Sequence, residues 1–309
     1  MNQEIEKLIL NIEKVIIGKR GSIINVIAAM LSEGHILIED VPGVGKTRLV
    51  SALASSVDGN FNRIQLTPDI MPSDIVGFSM IDPQTREFTY KQGAAMCNFL
   101  LADEINRASP KAQSSLLEVM EEHQISLDGN TMQLPSPFMV LATQNPVETY
   151  GTYHLPEAQM DRFIMKISMG YPSPEEEFDI ITRSETNTFT DKLDAVMSVD
   201  DIMSHIAAVK KVQCTDSVKK YIVDLLNATR TSDLVKLGAS PRAGIALLKA
   251  SKALAYILGR EYVVPDDVRD MMSVVLSHRL MLSPKGKSVY ASPERVMDEI
   301  AKTVSAPIK

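Results

Sequence analysis

The 309-residue sequence lacks most features of secreted, membrane-spanning and disulfide-stabilised proteins. Its two cysteines, Cys97 and Cys214, lie far apart and neither belongs to a Cys-x-x-Cys pair, so we expect a reducing compartment and no disulfide framework. No run of about 18 apolar residues is present, so no membrane insertion is expected. The polar start Met1–Glu4 does not have the layout of a signal peptide. Together these features predict a cytoplasmic protein.

The sequence also lacks an excess of basic charge and the common signatures of nucleophilic or metal-dependent enzymes. Its formal net charge is −7, so we do not expect nucleic acid or anionic lipid as a partner of the whole protein. The five histidines show no metal-ligand spacing, and no Gly-x-Ser-x-Gly motif is present. Hydrophobic residues make up 45% of the chain and charged residues 23%, which is enough to build a large core.

What the sequence does contain is a short glycine-bearing turn between an apolar run, Ile36–Ile38, and a helical stretch. The turn ends at Lys46 and Thr47. A strand, a loop and a helix N-terminus in this order are typical of a phosphate-binding loop, whose backbone N–H groups face the anion. Lys46 would reach the terminal phosphates and Thr47 would bind Mg²⁺. The other residues expected to contact the nucleotide are Pro42, Gly43, Val44, Gly45 and Arg48.

This turn departs from the strict phosphate-loop pattern at one position. The pattern has a glycine six residues before Lys46, and this chain has Asp40 there. Gly43 and Gly45 remain, and they allow the backbone to approach the phosphates closely. Taken alone, the segment can also be interpreted as an ordinary tight turn between a strand and a helix.

Two further apolar runs end in polar residues, one before Asp103 and Glu104 and the other before Asn145. Such runs predict buried parallel strands, and ligands collect at the carboxyl ends of these strands. Asp103 would hold Mg²⁺ through the water shell of the ion, together with Thr47, and Glu104 would orient and polarise the attacking water. The Asn145 amide would hydrogen-bond to the water or to the γ-phosphate. Each of these functional interpretations has a structural alternative. Asp103 and Glu104 would cap the next helix, and Asn145 would form a turn with the proline that follows it.

Residues 3–16 carry apolar side chains at helical spacing, and a turn at Ile17 and Gly18 ends the predicted helix. Two interpretations of this segment remain open. Ile16, Ile17 and Gly18 would form an apolar floor for an adenine, or they would simply belong to the packing of core helices. The pattern alone favours core packing.

The predicted strands, hairpins and helices along the rest of the chain indicate the fold class. Hairpins are predicted over Phe78–Gln92 and Gln124–Leu134, and a helix begins at Ser109. Strand signals stop after Pro172, and the later apolar residues follow helical spacing. We therefore predict an α/β domain over residues 1–172, with a parallel sheet and flanking helices, followed by a linker and a small helical domain over residues 173–309.

Two arginines have both a structural and a catalytic interpretation. Arg162 stands just before a predicted strand. It is either a surface ion-pairing residue or an arginine finger for the γ-phosphate of a neighbouring subunit. Arg242 lies in the first turn of a helix capped by Ser240, where the helix dipole disfavours a cation. An anion bound nearby would explain why an arginine is accepted at this position. The unfavourable interaction with the helix dipole is small, however, so Arg242 can equally be an ordinary surface residue.

Taken together, five segments in this order resemble the motifs of the MoxR group of AAA+ ATPases. The likeness extends from about Ile17 to His278 and Arg279, and the group tolerates the variation at Asp40. The matching segments are Glu39–Thr47, Leu101–Ala108, Ala142–Pro146, Leu155–Phe163 and Gly238–Ala243.

The resemblance implies a P-loop AAA+ sheet with flanking helices, followed by a small all-helical lid domain. Lys46 and Thr47 match the Walker A pair of this group. Asp103 and Glu104 match its Walker B acids. The cofactors that the resemblance implies are therefore ATP and Mg²⁺, and the implied activity is Mg²⁺-dependent ATP hydrolysis.

The resemblance also implies an assembly. Asn145 is similar to sensor 1, Arg162 to the arginine finger that acts in trans, and Arg242 to sensor 2 on the lid. Members of the group form rings, here expected to be hexameric, and hydrolyse ATP between subunits. They act as chaperone-like remodellers or maturation factors for a protein client, which in some cases contains a von Willebrand factor A domain.

Two alternatives to an ATP-driven remodeller remain open at this point. One is a nucleotide-switched scaffold that binds ATP and recruits a partner with negligible turnover. The other is a subunit of a metal-insertion motor that resembles magnesium chelatase. The intact pair Asp103–Glu104 favours turnover over the scaffold.

Overall fold

The structure, a computed structural model, describes residues 1–40, 43–145, 152–153, 155–186 and 193–307. Its centre is a five-stranded parallel sheet. The strands are β1 (Ile36–Glu39), β2 (Phe61–Gln65), β5 (Phe99–Asp103), β8 (Met139–Gln144) and β9 (Met165–Ile167). Their order across the sheet is β2-β5-β8-β1-β9, which confirms the predicted parallel α/β architecture.

Helices and two hairpins surround this sheet. The helices are α1 (Gln3–Glu13), α2 (Arg20–Leu31), α3 (Lys46–Ser56), α4 (Pro72–Val76), α5 (Pro110–Glu122) and α6 (Glu157–Met160). The hairpins pair β3 (Gly77–Ile81) with β4 (Phe88–Gln92), and β6 (Gln124–Leu127) with β7 (Asn130–Gln133). Both predicted hairpins are confirmed. The predicted start of α5 is also confirmed, because the Ser109 hydroxyl accepts a hydrogen bond from the Ala112 N–H.

Alternate residues of the central strands enter two separate cores, one on each face of the sheet. Phe99 and Leu101 of β5 pack with the cluster that contains α1, α2 and α3, whereas Leu100 and Ala102 pack with the cluster that contains α5. All four side chains are fully buried. Burial on both faces explains why these strands are near-continuous apolar runs in the sequence.

After the sheet, the described chain is mostly helical. The helices are α7 (Pro174–Glu185), α8 (Val199–Lys211), α9 (Asp216–Thr231), α10 (Pro241–Ile257), α11 (Pro265–Leu276), α12 (Pro284–Tyr290) and α13 (Pro293–Lys302). This part of the chain also contains a short antiparallel ribbon, in which β10 (Val235–Leu237) pairs with β11 (Met281–Leu282). The sequence pattern did not predict this ribbon, because strands of two and three residues are too short for a visible alternation. None of the described helices is long and apolar enough to cross a membrane.

A buried histidine connects α5 to the sheet. His35 precedes β1, and its Nδ1 accepts a hydrogen bond from the Val140 N–H at 3.0 Å. Its Nε2 therefore carries the proton and donates to the Met120 carbonyl at 2.9 Å. This arrangement requires the neutral ring, and burial lowers the pKa of His35 to about 4.

Because the pKa of His35 is lowered in the folded protein, we predict that the free energy of unfolding decreases in mild acid. The unfolded chain binds a proton at His35 near pH 6.5, whereas the folded chain does so only near pH 4. The contribution of His35 is fully present above pH 6.5, and up to about 3 kcal/mol of it is lost as the pH falls towards 4. Urea unfolding of wild type and His35→Gln between pH 7.5 and 5 measures this. The free energy of unfolding should fall more steeply in wild type, and parallel pH profiles would refute the assignment.

Candidate active site

The carboxyl ends of β1, β2, β5 and β8 border a cleft of about 720 Å³. The cleft contains most of the residues that the sequence predicted. Those that line it are Ile17, Gly43, Val44, Gly45, Lys46, Thr47, Arg48, Asp103, Glu104 and Asn145. Pro42 lies outside the described residues, and Gly18 is not part of the lining.

The loop before α3 has the backbone of an anion-binding turn. Gly43 and Gly45 have φ angles of 88° and 92°, in the left-handed region that favours glycine. Apart from each glycine and its two chain neighbours, no atom of the described residues lies within 4 Å of the place where a Cβ would stand at either glycine, so the space above the loop is open. Helix α3 begins at Lys46 without a side-chain cap, and its first N–H groups are available to an anion.

Asp40 has a structural role that explains why it replaces glycine. Its backbone does not adopt a positive φ, so glycine is not required. The buried carboxylate accepts hydrogen bonds from the N–H groups of Met169 and Gly170, which follow β9. The Asp40 carbonyl accepts a hydrogen bond from Lys46 Nζ at 2.9 Å. Asp40 therefore fastens the start of the phosphate loop to the chain beyond the sheet.

Both acids at the end of β5 are held by side chains from neighbouring strands. Asp103 Oδ2 forms an ion pair with Arg63 at 2.7 Å, and its Oδ1 accepts a hydrogen bond from Thr143 at 2.5 Å. Glu104 Oε2 accepts a hydrogen bond from Gln65 at 2.8 Å. The two carboxylates thus face the cleft with fixed orientations.

The backbone at Glu104 is unusual for its residue type. Its φ of 58° and ψ of 52° place it in the left-handed region, and its N–H donates to the Thr143 hydroxyl at 2.9 Å. Conformations of this kind persist where the surroundings fix them, and they concentrate at functional sites. One threonine on β8 therefore holds both acids of the candidate site.

Arg63 and Gln65 line the cleft and were missed in the sequence analysis. Both belong to β2, two residues apart, and Gln65 lies directly opposite Asp103 in the parallel register. The sequence did contain one signal, because successive side chains of a strand point to opposite faces and Arg63 and Gln65 therefore share a face. To assign them to the site, however, one must know that β2 is the neighbour of β5, which no local pattern reveals.

Part of the lining of the cleft is apolar. Ile16 and Ile17 face it from the turn after α1, and Ile180 and Ile181 face it from α7. Ile16 is also buried in the main core, so core packing is present here, and the adenine floor stays a prediction. Gly18 lies nearby, where a Cβ would stand 1.8 Å from the Glu176 carboxylate.

Arg162 and Arg242 do not reach this cleft. Both form ion pairs with Glu121 on α5, Arg162 at 3.1 Å and Arg242 at 3.2 Å. Neither arginine is among the residues that line the cleft. The structure therefore brings these two predicted site residues together with each other, in a place separate from the remaining ones.

The residues at the cleft suit a magnesium ion bound together with a nucleotide. Within the described ranges, no group of three or more histidine, cysteine or acidic side chains forms a metal site. Mg²⁺ in nucleotide sites uses one or two protein oxygens, with phosphate and water completing the octahedron. The Thr47 hydroxyl and the Asp103 carboxylate supply such oxygens beside the open loop.

Comparison with known families defines the class of the protein. Residues 35–165 match the ATPase family associated with various cellular activities (AAA), and residues 227–300 match the AAA lid domain. The first match contains β1, β2, β5 and β8 of the sheet and the two acids, and the second contains α10 and α11. Fold and cleft together are those of an AAA+ ATPase.

Individual relatives show which family of AAA+ ATPases the chain belongs to. The chain is 48% identical to the uncharacterised protein YeaC of Bacillus subtilis, over 98% of this chain and 95% of YeaC. It is 42% identical to chaperone MoxR1 of Mycobacterium tuberculosis, over 98% of this chain and 82% of MoxR1. The crystal structure of a candidate ATPase from Cytophaga hutchinsonii has a TM-score of 0.92 at 37% identity and covers 99% of this chain and 95% of its own. The chain belongs to the MoxR family of AAA+ ATPases.

The role of Asp40 predicts that restoring the glycine of the strict motif will destabilise the protein. Asp40→Gly and Asp40→Ala leave the N–H groups of Met169 and Gly170 without their acceptor, at a cost of about 1–3 kcal/mol. Asp40→Asn keeps an acceptor oxygen and serves as the matched control, with a smaller loss. Urea unfolding of the three variants gives the comparison. Equal stability of Asp40→Gly and wild type would contradict this role.

Proposed function

We propose that the protein is a Mg²⁺-dependent ATP phosphohydrolase that drives chaperone-like remodelling or maturation of a protein client. The observation that carries the proposal is the convergence of an open phosphate loop and two oriented acids at one cleft. An AAA+ ATPase of the MoxR family is expected to hydrolyse ATP with this combination.

The residues of the cleft divide the chemistry among them. Lys46 and the first N–H groups of α3 bind the phosphates, and the Asn145 amide orients the γ-phosphate or the water. Glu104 polarises the attacking water. Thr47 and Asp103 would hold Mg²⁺, which neutralises charge on the phosphates when bound. Asp103 would do so through the water shell of the ion, which is compatible with its ion pair to Arg63.

We further propose that hydrolysis requires a neighbouring subunit. Phosphoryl transfer is accelerated mainly by positive charge around the γ-phosphate, and an arginine finger contributes about 10³–10⁵-fold. In this chain Arg162 and Arg242 lie together on Glu121, outside the cleft. A second copy that offers its nucleotide to this surface would receive both guanidinium groups at once. This supports a ring, which we propose to be hexameric.

The remaining parts of the proposal concern organisation and partners. We place the boundary between the α/β domain and the lid between Pro172 and Ser173. The client is a protein, and a von Willebrand factor A domain partner is proposed on the family resemblance. We place the protein in the cytoplasm.

The proposal predicts that the ATPase rate per subunit rises with protein concentration. Glu104→Gln removes the group that polarises water, and Arg162→Ala removes a cation from the neighbour's site. Both variants should lose at least about 10²-fold in turnover while they still bind nucleotide. Steady-state phosphate release, together with binding of a fluorescent ADP analogue, measures the two properties separately.

Two outcomes would contradict this function. A flat rate near zero at all concentrations, with nucleotide still bound and candidate partners added, would favour the nucleotide-switched scaffold. A rate that is independent of concentration and unaffected by Arg162→Ala would place hydrolysis within one subunit. The control is Lys46→Ala, which should lose nucleotide binding itself.

A further inference from the structure

The guanidinium of Arg279 is buried where the lid meets the chain after α6. Its side chain is 4% exposed, and all five of its N–H groups have acceptors. Nε donates to Asp161 Oδ1 at 2.5 Å. Nη2 donates to the carbonyls of Phe163 at 2.7 Å and of Asp161 at 3.2 Å. Nη1 donates to the carbonyls of Ile164, at 3.2 Å, and of Val275.

Four of these five acceptors belong to residues 161–164, the segment that contains Arg162. The lid therefore holds backbone carbonyls on both sides of Arg162 through a single planar group. A lysine at position 279 would keep the charge but would have three donors on a flexible stem, so it cannot reproduce this arrangement.

Asp161 links the same segment to the second arginine. Its Oδ2 accepts a hydrogen bond from the Ser240 hydroxyl at 3.3 Å. Ser240 is the N-cap of α10, where its hydroxyl accepts from the Ala243 N–H at 3.2 Å. Arg242 is the second residue of that helix. One carboxylate thus connects the chain next to Arg162 with the helix end that carries Arg242.

The ion pairs on Glu121 and the pair between Arg279 and Asp161 differ in burial. The ion pairs of Arg162 and Arg242 with Glu121 are partly exposed, and such pairs are weak enough to exchange for another anion. The pair between Arg279 and Asp161 is mostly buried, with side chains 4% and 22% exposed. Breaking a buried pair on one side is costly, so this pair stays while the exposed ones change.

We propose that Arg279 and Asp161 are positioning residues, which hold Arg162 and Arg242 in one arrangement that acts on the nucleotide of a neighbouring subunit. This inference rests on the proposed function, because it requires hydrolysis between subunits. Neither Arg279 nor Asp161 lines the cleft of its own chain. Their effect on turnover therefore passes through the two arginines.

The test compares Arg279→Lys with Arg260→Lys in the full-length chain. Arg260 forms a bidentate pair with the buried Asp267 inside the lid, and it serves as the matched control for loss of a lid ion pair. A catalytic group displaced by about 1 Å can lose about 10²-fold in rate. We expect Arg279→Lys to lose about 10²-fold in kcat, with KM for ATP and affinity for fluorescent ADP unchanged. Arg260→Lys should keep wild-type turnover.

Mixing of subunits separates positioning from a general structural defect. Glu104→Gln subunits cannot hydrolyse their own ATP, but they carry an intact Arg279–Asp161 pair. Added to Arg279→Lys subunits, they should restore part of the turnover, because intact clefts then face intact arginines. Asp161→Asn should behave like Arg279→Lys and replaces it if that variant does not fold.

The outcomes that overturn the inference are distinct from failure of the proposed function. Wild-type turnover of Arg279→Lys beside an inactive Arg162→Ala would refute the positioning role alone. An equal loss in Arg260→Lys, or no recovery on mixing, would also refute it, because the effect would then be a general one. Wild-type turnover of Arg162→Ala would instead refute hydrolysis between subunits.

Discussion

Parallel pairing of β1, β5 and β8 is the constraint on which the candidate site depends. In this register Leu141 lies opposite both Ile36 and Leu101, so the three strands end at one edge of the sheet. The phosphate loop leaves β1 at that edge, and Asp103 ends β5 beside it. Thr143 then fixes both acids, because its single hydroxyl bonds the Asp103 carboxylate and the Glu104 N–H. Backbone pairing thus brings polar groups from three separated segments to one cleft, and the Thr143 side chain orients the acids there.

Much of this could be predicted because the decisive signals are local. β5 and β8 are buried on both faces, which makes them apolar runs, and their polar ends mark the edge where ligands bind. The open loop at Gly43 and Gly45 follows from residue types that tolerate positive φ. Arg63 and Gln65 show where local reasoning ends, since their role depends on β2 being the neighbour of β5.

The arrangement of the arginines could not be predicted at all from local pattern. Arg162 and Arg242 belong to segments far apart in the sequence and meet on Glu121, which belongs to neither. Arg279 bonds Asp161 across 118 positions of the chain. Such contacts arise from the docking of the lid, and a single buried guanidinium leaves no periodic trace in a sequence. The same docking gives the lid a direct physical connection to the surface that we propose faces a neighbouring subunit.

The central claim is that the arginines held by the lid complete the site of another subunit. The structure of the Glu104→Gln variant assembled with ATP and Mg²⁺ tests it most directly, because hydrolysis is blocked and the γ-phosphate remains. We predict that Arg162 and Arg242 leave Glu121 and that both guanidinium groups hydrogen-bond to the γ-phosphate of the adjacent subunit. Arginines that stay on Glu121 in the assembled state, or an Arg242 that binds the γ-phosphate of its own chain, would contradict it.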